Sequence, residues 1–242
     1  MHSEKVKKIF VICPFPENQA AGQRLKYEQF FDHWRENGYE IEVSPFMDDA
    51  MWAIVYTEGN YLRKVFGTIK GYLRRARDIF RLQQFDLIYV FMWVTPFGSS
   101  FFERIFCRLS TKLVYDIEDN ALMPQSNNLN PIIKFFKGVG KIEFLVKQAN
   151  HVITSSPFLN EDCLKLNKHQ SCTFISDAID INRYSPNNAY SNDSTVVIGW
   201  TGTFSSSMYL DLLRNVFLKL NERINFKLRI IGNFEYSLPG ID

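Results

Sequence analysis

The stretch FDLIYVFM, residues 85–92, decides the fold. An apolar run this short and this continuous reads as a strand buried on both faces, and strands of that kind belong to parallel sheets covered by helices. Similar runs occur at VKKIFVIC (6–13) and HVITSS (151–156). Between them lie YEIEVSPF (39–46), TKLVYDIED (111–119) and CTFIS (172–176), which complete a set of six expected strands. Helices are expected between the strands. One covers AGQRLKYEQFFDHWRENG and ends near Gly38, one is long and basic over about 60–84, and others cover about 97–109, about 131–149 and a stretch starting at Pro157. Alternating β and α elements with right-handed crossovers give an α/β, Rossmann-like, doubly wound parallel sheet.

The polar, turn-rich SPNNAYSNDS (185–194) reads as a linker. After it, TVVIGW, an amphipathic helix and FKLRIIG (226–232) open a second unit of the same kind. The chain is expected to contain only the start of that unit.

Composition narrows the function. The 242 residues suffice for one large domain or two small ones. A formal charge of +2 is no nucleic-acid footprint, so no nucleic-acid partner is expected. The four cysteines, Cys13, Cys107, Cys163 and Cys172, form no CxxC pair, and histidine is scarce, so no structural zinc site is expected. Dispersed cysteines suit a reducing cytosol. No apolar run approaches the roughly 18 residues of a spanning helix.

Several motifs sit where open α/β sheets bind ligands, at the carboxyl ends of strands. Gly22 lies near the start of the first helix, where backbone N–H groups can face a phosphate or a sugar. No GxGxxG is present, which argues against a dinucleotide dehydrogenase and disfavours a sugar-nucleotide epimerase. GVGK (138–141) lacks the first glycine and the Ser/Thr of a P-loop. YDIEDNA (115–121) places Asp116, Glu118 and Asp119 at the end of the fourth strand, where carboxylates can position a hydroxyl, take up a proton or hold a metal. In GWTGTFSSS (199–207), Gly199 and Gly202 permit close backbone approach to an anion at the next helix N-terminus. Residues 61–81 hold seven Lys/Arg and one acid. Arg63, Lys70, Arg74, Arg77 and Arg81 share one stripe; Leu62, Phe66, Ile69, Leu73, Ala76 and Phe80 share another. The basic stripe reads either as a solvated helix face or as a surface that adsorbs to anionic lipid headgroups. The apolar stripe reads either as buried in the domain or as entering the lipid interface.

In order along nearly the whole chain, these segments resemble the GT-B glycosyltransferases, specifically the family 4-like group. PFPENQAAGQRLKYEQFFDHWRENGYEIEV is similar to that family's opening, and LVYDIEDN to its acceptor-side strand end. HVITSSPFLNEDC, ISDAIDINRYSP and IGWTGTFSSSMYLDLL resemble, in turn, its fifth-strand segment, its pre-linker segment and the opening of its donor-binding domain. There are departures. Asp177-Ala178 stands for the family's Asn-Gly, Thr203 and Met208 stand where many relatives carry a basic pair, and the Glu-x7-Glu motif is absent, since Glu222 and Glu235 are 13 apart.

The resemblance implies an acceptor-side Rossmann-like domain over 1–188, then a linker and an incomplete donor-binding domain over 189–242. It implies a retaining hexosyltransferase-like enzyme that moves a sugar from a nucleotide-sugar to a glycan or lipid-linked acceptor, in cell-surface polysaccharide biosynthesis. The nucleotide-sugar is a co-substrate, and no further cofactor is implied. Asp119 would orient hydroxyls at the reacting centre; Gly22, Arg24, Asp116 and Glu118 would meet acceptor or sugar; Gly202, Thr203 and Ser205 would border the donor diphosphate. The expected location is cytoplasmic, peripheral on the inner face of the plasma membrane through 61–81. The competing expectation is a truncated, catalytically inactive acceptor- or membrane-binding module that needs a partner for the donor half.

Overall fold

A computed structural model describes residues 6–118, 140–179, 181, 195–202, 206–232 and 235–241. The chain divides into two compact units, Met1–Tyr184 and Ser185–Asp242.

The first unit is built on strands β1 (Lys7–Cys13), β2 (Tyr39–Pro45), β3 (Leu87–Phe91), β4 (Leu113–Ile117), β5 (His151–Thr154) and β6 (Cys172–Phe174). They form one sheet in the order β2-β1-β3-β4-β5-β6. Every neighbouring pair is parallel. This is the α/β, Rossmann-like architecture expected from the apolar runs. Alternation along the strands sends side chains to two faces. One face carries Phe10, Ile12, Ile88, Val90, Leu113, Tyr115, Ile117 and Val152. Helices α5 (Phe101–Leu109), α6 (Lys141–Gln148) and α7 (Pro157–Leu166) cover it through Phe106, Leu145, Val146, Leu159 and Cys163. The other face carries Ile9, Val11, Cys13, Tyr89 and Phe91, packed on Tyr27 and Phe31.

The first helix is not continuous. It divides into α1 (Ala21–Lys26), a 3-10 turn (Glu28–Phe30) and α2 (Phe31–Glu36). The break falls at Tyr27, with φ −136° and ψ −30°, whose ring packs on Phe31, Tyr89 and Phe91. Seating that ring on the sheet outweighs one helical hydrogen bond. Gly38, at φ +81°, ends the segment as the expected left-handed residue.

Helices α3 (Asp49–Val55) and α4 (Tyr61–Ile79) connect β2 to β3. The two glycines of α4 leave it unbroken because they form its packing face. A Cβ on Gly67 would lie 2.8 Å from Met51 Sδ, and one on Gly71 would lie 2.5 Å from Phe46 Cε1 and Cζ. Arg75 and Asp78 continue this buried side. Arg75 is fully buried and donates to Cys13 O, Ser44 O, Val94 O and Asp78 Oδ2 at 2.8–3.0 Å. The basic stripe is partly committed to the fold. Arg74 donates to Pro45 O at 2.5 Å, and Arg81 pairs with Glu42 at 2.6 Å. The apolar stripe faces outward: Leu62 is 87% exposed and Phe80 84%. Lys141, the lysine of the GVGK stretch, is buried and donates to Thr95 Oγ1 at 2.7 Å and Phe97 O at 2.6 Å, a structural role.

The second unit contains two parallel strands, β7 (Val196–Thr201) and β8 (Phe226–Ile231), with helices α8 (Met208–Leu212) and α9 (Arg214–Asn221) between them. Leu210, Phe217, Phe226 and Leu238 form its core. Val196, Val197 and Ile231 remain exposed. The expected single helix breaks at Leu213, which caps both halves. Among the described residues no helix is long and apolar enough to cross a membrane.

Candidate functional site

Asp116 and Glu118 stand at the carboxyl end of β4, on the inner part of the sheet. Asp116 pairs in register with Phe91 of β3 and Ile153 of β5. It points to the face covered by α1, because the alternate positions Tyr115 and Ile117 fill the opposite core. Its Oδ2 accepts a short hydrogen bond from Tyr89 Oη. Its Oδ1 is buried and has no hydrogen-bond partner among the described residues. Lys26, at the end of α1, lies 3.8 Å from that oxygen and also 3.8 Å from Asp177 Oδ1. The same ammonium donates to Ile175 O at 3.0 Å. Burial pushes the Asp116 carboxyl up to about 6; Lys26 and Tyr89 oppose the shift, and Glu118 and Asp177 add to it.

Gly22 lies on the same end of the sheet. A Cβ there would stand 3.0 Å from Glu118 Oε2 and 3.4 Å from Oε1. The missing side chain thus lets the Glu118 carboxylate lie against the first turn of α1. That position was expected to receive a sugar-phosphate; in this structure a protein carboxylate occupies it, with the charge sign a helix N-terminus favours. Beside it, Gln23 is buried. It accepts from Phe15 N and donates to Phe15 O, each at 3.0 Å, fixing the loop between β1 and α1.

The structure therefore brings together Gly22, Asp116 and Glu118 of the expected acceptor or sugar contacts. Arg24 is not part of the group: it is on the exposed side of α1. Asp119, Thr203 and Ser205 lie outside the described residues. Gly202 is described, in the second unit. Its N–H donates to Ile231 O at 3.1 Å, and a Cβ on it would meet Trp200 Cη2 at 2.3 Å and Ser206 Oγ at 2.7 Å. In this arrangement Gly202 makes room for the Trp200 ring, and its N–H is committed to the strand end rather than offered to a phosphate.

Lys26 and Asp177 are the members that motif reading missed as site residues. Lys26 had one signal: it is four residues after Gly22, hence on the same helix face. Among the described residues no cluster of His, Cys, Asp or Glu has the makings of a metal site. The four cysteines are free, and burial raises the thiol of Cys13 to about 12, which leaves it unreactive.

Chemically the group is a buried ammonium within 3.8 Å of two carboxylates, Asp116 and Asp177, with a third carboxylate, Glu118, against Gly22. Such a set can bind hydroxyls and hold or release a proton near neutral pH. No protein-family model matches the chain, and no curated protein matches it.

Proposed function

We propose that the chain is a GT-B glycosyltransferase, moving a hexosyl group from a nucleotide-sugar to a glycan or lipid-linked acceptor, with retention, in cell-surface polysaccharide synthesis. The observation that carries this reading is the buried Oδ1 of Asp116, without a hydrogen-bond partner among the described residues, at the carboxyl end of a parallel strand. An acceptor oxygen with 1% residue exposure is costly unless a donor arrives, and a sugar or acceptor hydroxyl supplies one. Lys26 holds the negative charge of the site in check, and Asp119, one residue beyond Glu118, orients hydroxyls at the reacting centre. Residues 1–188 act on the acceptor side and 189–242 on the donor side. The reaction takes place at the cytoplasmic face of the membrane: the bond from the sugar C1 to the diphosphate breaks with its electron pair leaving on the nucleoside diphosphate, the acceptor oxygen bonds to C1, and the acceptor proton passes to a carboxylate of the site and then to solvent.

The test is release of nucleoside diphosphate from a panel of nucleotide-sugars by the purified chain, with and without glycan acceptors. Asp116→Asn should lower kcat by about 10²–10⁴, the range for a positioned acid or base. A second reading, an acceptor-binding module without donor turnover, is favoured by the commitment of the Gly202 N–H to Ile231 O. Saturable glycan binding without turnover of any donor would decide for that module.

A further inference from the structure

Helix α4 turns to the outside the stripe that an amphipathic helix ordinarily buries. Its buried residues are Gly67, Gly71, Arg75 and Asp78. Leu62, Phe66, Ile69 and Leu73 are each more than half exposed. At 3.6 residues per turn the two sets lie on opposite sides of the cylinder. Glycine explains the inversion. The two glycines let the helix backbone press onto Met51 and Phe46, a closeness no larger residue allows. The outer face is therefore surplus to the fold.

Its surroundings indicate what it fits. Arg63, Lys70 and Arg77 run along one edge, all exposed. The single acid of 61–81, Asp78, is buried against Arg75 and contributes no charge to the surface. Across the other edge, Tyr72 contacts Phe102 with ring centroids 5.7 Å apart, and Phe102 contacts the exposed Phe101 at 5.6 Å, so the apolar area continues onto α5. A cleft of about 420 Å³ opens between α3 and α4, lined by Met51, Ile54, Leu62 and Phe66 and bordered by Arg63, Lys70 and one carboxylate, Asp48, 3.7 Å from Lys70 Nζ.

We propose that the first unit docks on an anionic bilayer through the outer face of α4. Leu62, Phe66, Ile69 and Leu73 enter the boundary between headgroups and acyl chains, and Arg63, Lys70 and Arg77 meet lipid phosphates. The 19-residue helix lies in the membrane plane along its length. A second copy of the chain fits less well. Antiparallel pairing on this stripe sets the two basic edges side by side, where like charges repel.

The experiment is co-sedimentation of the full chain with phosphatidylcholine vesicles, with and without phosphatidylglycerol, and with no nucleotide-sugar present, so the outcome is independent of the transferase reading. Binding should be about tenfold stronger to the anionic vesicles and should weaken as salt is added. Phe66→Ser with Leu73→Ser, and separately Arg63→Gln with Arg77→Gln, should each reduce it about tenfold, with melting curves like the parent's because these side chains stand in solvent. If the first pair fails to fold, the arginine pair decides alone. Equal binding to both vesicle types, or undiminished binding in the arginine pair, would overturn the proposal. So would a parent that is dimeric in solution, becomes monomeric on Phe66→Ser with Leu73→Ser, and ignores vesicles.

Discussion

Lys26 Nζ stands 3.8 Å from Asp116 Oδ1, with both side chains 2% exposed. That separation is an ion pair but not a hydrogen bond. The ammonium instead spends its direct bond on Ile175 O at 3.0 Å. The carboxylate therefore loses its water without a full replacement, and desolvation outweighs attraction in setting its proton affinity.

This makes stability depend on pH in a defined direction. Asp116 is raised from 3.8 to about 6 in the folded state, so the folded protein binds the extra proton between those values. The stabilising contribution is fully present below the unfolded pKa and is lost as pH rises through the folded one. A shift of that size corresponds to about 3 kcal/mol. Relative to Asp116→Asn, the parent should lose about that much stability between about pH 4 and about pH 7. Urea unfolding of both proteins across this range measures it. A difference that stays flat with pH would mean that Asp116 titrates as an ordinary aspartate.

Gly71→Ala should be destabilising, even though alanine is the better helix former by about 1 kcal/mol. The added methyl meets the Phe46 ring at 2.5 Å, and overpacking of this kind costs about 1–3 kcal/mol. Phe46 is buried between Tyr72 and Trp93 and has little room to move. Chemical denaturation reads the sign directly; a gain in stability would show that the α4 contact is loose.

Arg75→Met should cost more, about 3–5 kcal/mol. It strands the Asp78 carboxylate and withdraws donors from three carbonyls at once. Adding Asp78→Asn to the same chain should recover part of the loss by removing the buried charge, a double-mutant cycle that separates charge from hydrogen bonding.

Hydrogen exchange should distinguish the two units. Backbone amides of β7 are predicted to exchange faster than those of β1 and β3, since Val196 and Val197 are about half exposed whereas β1 is buried from Ile9 to Cys13. Equal protection in a monomeric sample would contradict this.

The strands were legible because burial on both faces leaves a compositional mark, and β1, β3 and β5 carry it. Asp116 was legible for a related reason: a carboxylate at the end of an apolar strand has no packing role to hide behind. The environment of Lys26 was not legible, since its partners lie at residues 116, 175 and 177, and local sequence does not reveal contacts so distant. Helix α4 shows a deeper reason. Its periodicity was plain, but periodicity tells which residues share a face, not which face the fold keeps. Two glycines reversed the usual answer, and their role exists only opposite Met51 and Phe46.

Arg75 ties the ends of β1 and β2 and the segment after β3 to a single helix, and that helix shows its far side to the surroundings. One cylinder thus serves as both fastener and fender. A load applied to its outer surface reaches the rim of the sheet by two routes, the buried Arg75 and the apolar Met51 and Phe46 beneath its glycines.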